Sequence, residues 1–200
     1  YDGGDFDRAA ALAIDPSTNV YVVGFTSGVT GYDWLTVKYS SLGVVLASAT
    51  FSTGIGSEGP LDVAVFPSAV IVSGYDSMVR RRIIAYNNSL ALIGQYQQGG
   101  SSDGSMFDGI IGDGSSGTYA SSVIGGTLFV NHFDGSLVLD STGTVSGNFA
   151  VSRQTRNIVR DGSGNVYVAA VEVSPARLVV AKFDPSLIFV SSRAMADHRP

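Results

Sequence analysis

The sequence predicts an all-β fold of the β-propeller-like kind, built as four tandem four-stranded antiparallel blades of about 48 residues each. Three observations predict it. An aromatic closing a β-branched run recurs at Tyr39, Tyr86, Phe133 and Phe183, at intervals of 47, 47 and 50 residues. A second column, Tyr21, Ile71, Tyr119 and Tyr167, recurs at intervals of 50, 48 and 48. An Asp-led turn runs into that second column in three copies, as Asp15-Pro16-Ser17-Thr18-Asn19, Asp113-Gly114-Ser115-Ser116-Gly117 and Asp161-Gly162-Ser163-Gly164-Asn165. Two columns sharing one period mark stacked units, each of which buries its faces against its neighbours. Helical periodicity is absent throughout.

The first copy shows the elements in order. A strand over 9–14 leads through the Asp15 turn into a second strand over 20–24. A longer loop, 25–32, precedes a third strand over 33–39, and a short turn at 40–43 leads to a fourth over 44–50. In the turn, the leading Asp accepts backbone N–H groups just ahead of it, and the closing Asn or Gly is expected to supply the positive φ. The second copy has Phe66-Pro67-Ser68-Ala69 instead, one residue shorter and without the Asp. Blade boundaries fall at 1–50, 51–98, 99–145 and 146–200, the last including a tail from Arg193 that leaves the repeat. Runs such as Val20-Tyr21-Val22-Val23 are apolar on both faces, as stacked blades require. The alternating Ala47-Ser48-Ala49-Thr50 suits an outer strand.

Composition narrows the function classes. The chain has 44% hydrophobic and 14% charged residues, a net charge of −5 and no cysteine. An acidic chain lacks the basic face that a phosphate backbone demands, so no nucleic-acid partner is expected. The run Arg80-Arg81-Arg82 is too short for such a face. Thiolate metal sites and disulfides are excluded, and no apolar run approaches a membrane span.

Ala9 to Gly24, followed by Tyr32-Asp33-Trp34-Leu35-Thr36-Val37-Lys38-Tyr39, resembles the bacterial SBBP-type β-propeller repeat. Its pattern is an apolar strand, an Asp-led turn, Val-Tyr-Val with a Gly, and an Asp-aromatic pair opening a strand that ends in Lys-Tyr. Asp161 to Ala170 with Lys182-Phe183 matches the same pattern, and the two middle copies match in outline. The resemblance implies propellers used as binding or scaffold modules of large secreted or surface-located bacterial proteins.

Candidate chemistry is sparse. Asp15, Asp113 and Asp161 open turns whose Asp-x-Ser spacing resembles the start of a calcium loop, but structural turns are expected. His132 lies in the column of Lys38, Ala85 and Lys182, and His198 in the tail, so no paired-His catalytic set is expected. No Gly-x-Ser-x-Gly elbow feeds a strand-to-helix turn, and the Gly-Ser runs at 99–105 and 112–117 are expected to be loops. Tyr32, Asp33 and Trp34, with Tyr75 and Asp76 in the next copy, are candidate ligand contacts, because aromatics beside carboxylates bind sugars or peptides. The same aromatics serve equally as packing between blades.

The expected function is a non-catalytic binding or scaffold module without a cofactor, with a protein or carbohydrate ligand and the remainder of a parent chain as partners. The alternative is a propeller-fold lyase or hydrolase with its site in the axial channel. A channel lined by apolar residues favours the module, and a channel of carboxylates and His the enzyme. The four blades are expected to form an open arc of a larger propeller, with no contact between the first and fourth.

Overall fold

The computed structural model describes residues 7–78, 80–99, 106–150, 157–174 and 176–194. These form sixteen strands in four antiparallel sheets, each a meander of consecutive strands. The first blade holds β1 (Arg8–Ile14), β2 (Val20–Ser27), β3 (Tyr32–Tyr39) and β4 (Val45–Phe51). The second holds β5 (Gly59–Val65), β6 (Val70–Tyr75), β7 (Arg81–Tyr86) and β8 (Leu92–Gln98). The third holds β9 (Gly109–Gly112), β10 (Thr118–Ile124), β11 (Thr127–Phe133) and β12 (Leu139–Val145). The fourth holds β13 (Ile158–Arg160), β14 (Val166–Val173), β15 (Ala176–Phe183) and β16 (Phe189–Ala194). The arrangement is the expected propeller-like one. The second strand runs past the expected 20–24 to Ser27, which shrinks the loop that follows to 28–31.

The blades stack through three apolar seams. The first joins blades one and two through Tyr21, Val23, Trp34, Val72, Ile84 and Tyr86. The second joins blades two and three through Ile71, Ile83, Phe107, Ala120 and Phe133. The third joins blades three and four through Tyr119, Val130, Val168, Ala181 and Phe183. The first strands of successive blades also pack in order, β1 on β5, β5 on β9 and β9 on β13. Among the described residues no such packing joins the first and fourth blades.

The two aromatic columns explain the seams. Cross-strand register puts them on opposite faces of each sheet. The Tyr21 column points into the seam with the following blade, the Tyr39 column into the seam with the preceding one. Six of the eight are buried. The two half-buried exceptions are Tyr39 and Tyr167, which point off the two ends of the stack. Blade four accordingly carries exposed Val159, Val171, Val173, Leu178 and Val180, and blade one exposed Leu12 and Ile14.

A second turn repeats in all four blades, between the third and fourth strands. Ser40, Asn87, Asp134 and Asp184 open it, each accepting the backbone N–H groups two and four residues ahead at 2.8–3.3 Å. Its fourth residue has positive φ: Gly43 at 79°, then Leu90 at 62°, Leu137 at 60° and Leu187 at 59°. A leucine in this region costs about 1–2 kcal/mol. Each of these leucines is buried in the seam with the preceding blade, which returns about 1.5–3 kcal/mol. Burial therefore holds the strained turn. Blade one has no preceding blade in the structure and has Gly43, with open space around it. A bulge follows the turn in every sheet, opposite the end of the third strand.

The Asp-led turns at 15–19, 113–117 and 161–165 connect β1 to β2, β9 to β10 and β13 to β14, as expected. One detail is corrected. Positive φ falls on Thr18, Gly114 and Gly164, not on the closing Asn19, Gly117 and Asn165. The closing Asn instead bonds back to its Asp through both backbone and side chain, at 2.7–2.9 Å.

Candidate functional site

The four first strands surround one axial depression of about 360 Å³. Its lining is Ala13 and Ile14 from β1, Asp62 to Val65 from β5, Ile110 to Gly112 from β9, and Ile158 and Val159 from β13. Asp62 is the single charged member, and both its oxygens are engaged. Oδ1 accepts the Val63 N–H at 2.9 Å and Oδ2 the Ile110 N–H at 3.1 Å, which ties blade two to blade three.

The three turn aspartates are held by their own turns. Asp161 accepts the Ser163 and Asn165 N–H groups on Oδ1, and the Asn165 amide and Tyr167 hydroxyl on Oδ2. The Asn165 amide foremost, with these other donors, holds its carboxyl down at about 2. Asp15 is filled in the same way by Asn19. Burial pushes the Asp113 carboxyl up, but the Ser115 N–H and hydroxyl together with His132 more than reverse this and leave it below the carboxylate range. Each of these aspartates opens the turn before a tyrosine of the Tyr21 column, and a Lys or His stands directly across the sheet from that ring. Lys38 lies 5.2 Å over Tyr21 and Lys182 5.5 Å over Tyr167. In blade three the partner is His132, 4.5 Å from Tyr119 and hydrogen-bonded to Asp113 at 3.2 Å and Asp140 at 2.7 Å. Blade two replaces the pair with Ile71 and Ala85. His132 thus belongs to a repeated edge device outside the axial depression. His198 and residues 100–105 of the 99–105 run lie outside the described residues.

The basic run is inward-facing structure. Asp76 is fully buried, with Arg80 at 2.8 Å and Arg82 at 2.9 Å on its Oδ2 and the Met78 and Arg80 N–H groups on Oδ1. Burial raises its carboxyl, yet these donors together bring it below the usual range. Arg82 also stacks on Phe51 at 4.9 Å, and Arg81 on Phe107 at 5.5 Å.

Of the five candidate ligand contacts, two face a common space. Tyr32 and Tyr75, joined by Arg8 and Phe25, line a depression of about 300 Å³ at the end of the first seam. Trp34 is fully buried in that seam, and its indole N–H donates to the Tyr75 carbonyl at 3.0 Å, fixing the wall of the site from below. Asp76 is consumed by its arginines, and the Asp33 carboxylate lies over Gly28, where a Cβ would meet it at 2.3 Å. Phe25 and Tyr32 meet edge to face at 6.4 Å, and Tyr32 remains 41% exposed. Gly59 is required here, because a Cβ on it would strike the Phe25 ring at 2.2 Å and the Tyr75 hydroxyl at 2.8 Å. Phe25 and Arg8 escaped the sequence analysis. Phe25 has a signal in the repeat, since it shares the column of Tyr75. Arg8 has none, and reaches the site because β1 pairs with β2 at Phe25.

No protein-family model matches the chain, and no curated protein matches it. Among solved structures it is similar to a protein of unknown function from Bacteroides caccae, at 12% identity and a TM-score of 0.55, over 94% of this chain and 68% of that one. A eukaryotic initiation factor aligns at 11% identity and a TM-score of 0.48, over 94% of this chain and 55% of that one. At 12% identity the likeness to the Bacteroides protein is one of fold.

Proposed function

We propose that the chain is a non-catalytic binding and scaffold module, with its ligand site in the Arg8–Phe25–Tyr32–Tyr75 depression. The observation that supports this over a propeller-fold lyase or hydrolase is the axial lining. Apart from Asp62, the four first strands line it with aliphatic side chains and Gly112, and Asp62 is spent on two backbone N–H groups, so the described lining offers no acid–base pair for chemistry on the axis. The open apolar face of blade four fits a scaffold that continues by stacking a further blade, from the remainder of a parent chain, in the manner of the three existing seams. A secreted or surface location follows from the SBBP-type resemblance.

The test is an array of glycans and extended peptides probed with the whole chain and with Tyr32→Ala. Binding that disappears in the exposed-tyrosine variant, with an unchanged circular dichroism spectrum, is the expected result. Turnover of a glycan, or binding indifferent to Tyr32, overturns the reading.

A further inference from the structure

We infer that the ligand of this depression is a carboxylated sugar ring, a uronic-acid residue of a saccharide, held by stacking on Tyr32 and by a charge pair with Arg8. This rests on the depression being the binding site and adds the ligand class. Three observations lead to it.

The first is the chemistry of the walls. Phe25 and Tyr32 meet edge to face, and Tyr32 keeps 41% of its surface exposed. A pyranose presents a C–H face that suits an aromatic plane, with hydroxyls around its rim for phenolic and backbone partners. The second is the charge. Arg8 is exposed, and among the described residues its guanidinium has no ion pair or hydrogen bond. On a chain of net charge −5, an unpaired guanidinium beside two tyrosines is a local positive spot. Asp76 is held by Arg80 and Arg82 and Asp33 is folded over Gly28, so neither pairs with it. A planar fork of donors matches a carboxylate in two parallel hydrogen bonds, which a neutral hydroxyl cannot reproduce. The third is size and shape. About 300 Å³ is the low end of small-molecule sites, enough for a single ring. The depression lies where β1 and β3 begin and β2 and β6 end, so a peptide pairing along a strand edge would meet only the terminal residue Arg8 of edge strand β1 there.

The experiment is calorimetric titration of the whole chain, at low salt, with digalacturonate and with the neutral digalactoside of the same linkage. Arg8→Met and Tyr32→Ala are run beside it. The expected result is a preference of about tenfold or more for the uronate, the advantage a bidentate charged pair confers. That preference falls away in Arg8→Met, while the weak neutral binding persists there, and both ligands are lost in Tyr32→Ala. Equal affinity for the two sugars, or a preference unchanged in Arg8→Met, overturns the carboxylated class while Tyr32-dependent binding keeps the site. Absence of any Tyr32-dependent binding overturns the site itself. An oligoglutamate peptide that binds as tightly as the uronate, and is lost in the same variants, overturns the sugar.

Discussion

At the scale of single residues, two kinds of side chain carry the repeat, and each gives a measurable expectation. Leu187 has a left-handed backbone and a buried side chain, so two effects oppose one another at one position. Leu187→Ala removes the burial and keeps the strain, and is expected to cost about 2–4 kcal/mol in urea unfolding. Leu187→Gly removes both, and should be more stable than Leu187→Ala by about 1 kcal/mol. A glycine variant below the alanine variant would mean that the turn is not strained. Asp161 makes a different expectation. Its folded carboxyl is held at about 2, against about 4 in an unfolded chain. The sign follows from that depression: its stabilisation is full above about pH 4 and is lost as the pH falls toward 2. Asp161→Asn should therefore flatten the acid limb of stability between about pH 4 and 2 and leave its slope at neutral pH unchanged, as read by urea midpoints across that range.

Within one sheet, the bulges decide which residues the columns tolerate. In blades one and two an extra residue lies in the first strand, between Ala9 and Ala11 and between Pro60 and Asp62. This pushes the carbonyls of Arg8 and Gly59 onto Gly24 and Gly74, where a Cβ would meet oxygen at 2.1 Å. In blades three and four the first-strand pairing ends before this column, at Ser121 and Val168, and the column holds Ser122 and Ala170. Gly24→Ala is accordingly expected to cost about 1–3 kcal/mol, because backbone and not a movable side chain must give way. Ala170→Gly should cost under about 1 kcal/mol, the ordinary penalty of glycine in a strand. Denaturant unfolding of the two variants checks the contrast, and equal costs would show that the bulge gives way to the added methyl.

For the molecule as a whole, the stack has three seams for four blades, and the two faces left over are unequal. Blade four presents an apolar sheet ready for the leucine of a following turn, whereas blade one has Gly43 where such a leucine would stand. A closure of blade one onto blade four would therefore lack the plug that every observed seam contains. Adjacent residues of β15 test the asymmetry directly. Val179 is buried in the third seam and Leu178 is 41% exposed on the open face. Val179→Asp should cost more than about 3 kcal/mol, as a charge placed in a closed core does. Leu178→Asp should change stability by less than about 1 kcal/mol. A severe loss from Leu178→Asp would mean that the open face is covered in solution.

The sequence by itself determined the period, the four-strand unit and the Asp-led turns, because each is written in local chemistry. An Asp two and four residues from its N–H donors and an aromatic every 48 or so residues are legible without a neighbour in view. It also nominated Tyr32 and Tyr75, since ring-bearing residues at loop entrances stand out in a repeat. Only the tertiary structure decided the rest. Trp34 and Asp76 look like the same class of candidate, but one fills a seam and the other neutralises Arg80 and Arg82, because burial is set by the blade across the seam and not by the strand that carries the residue. Arg8 joins the site through pairing of β1 with β2. The second turn, with its left-handed leucines, is regular in sequence as Asn87-Asn88-Ser89-Leu90, Asp134-Gly135-Ser136-Leu137 and Asp184-Pro185-Ser186-Leu187. Its meaning stayed hidden because leucine is a poor signal of positive φ: the conformation is strained locally, and only packing against the preceding blade makes it the stable one.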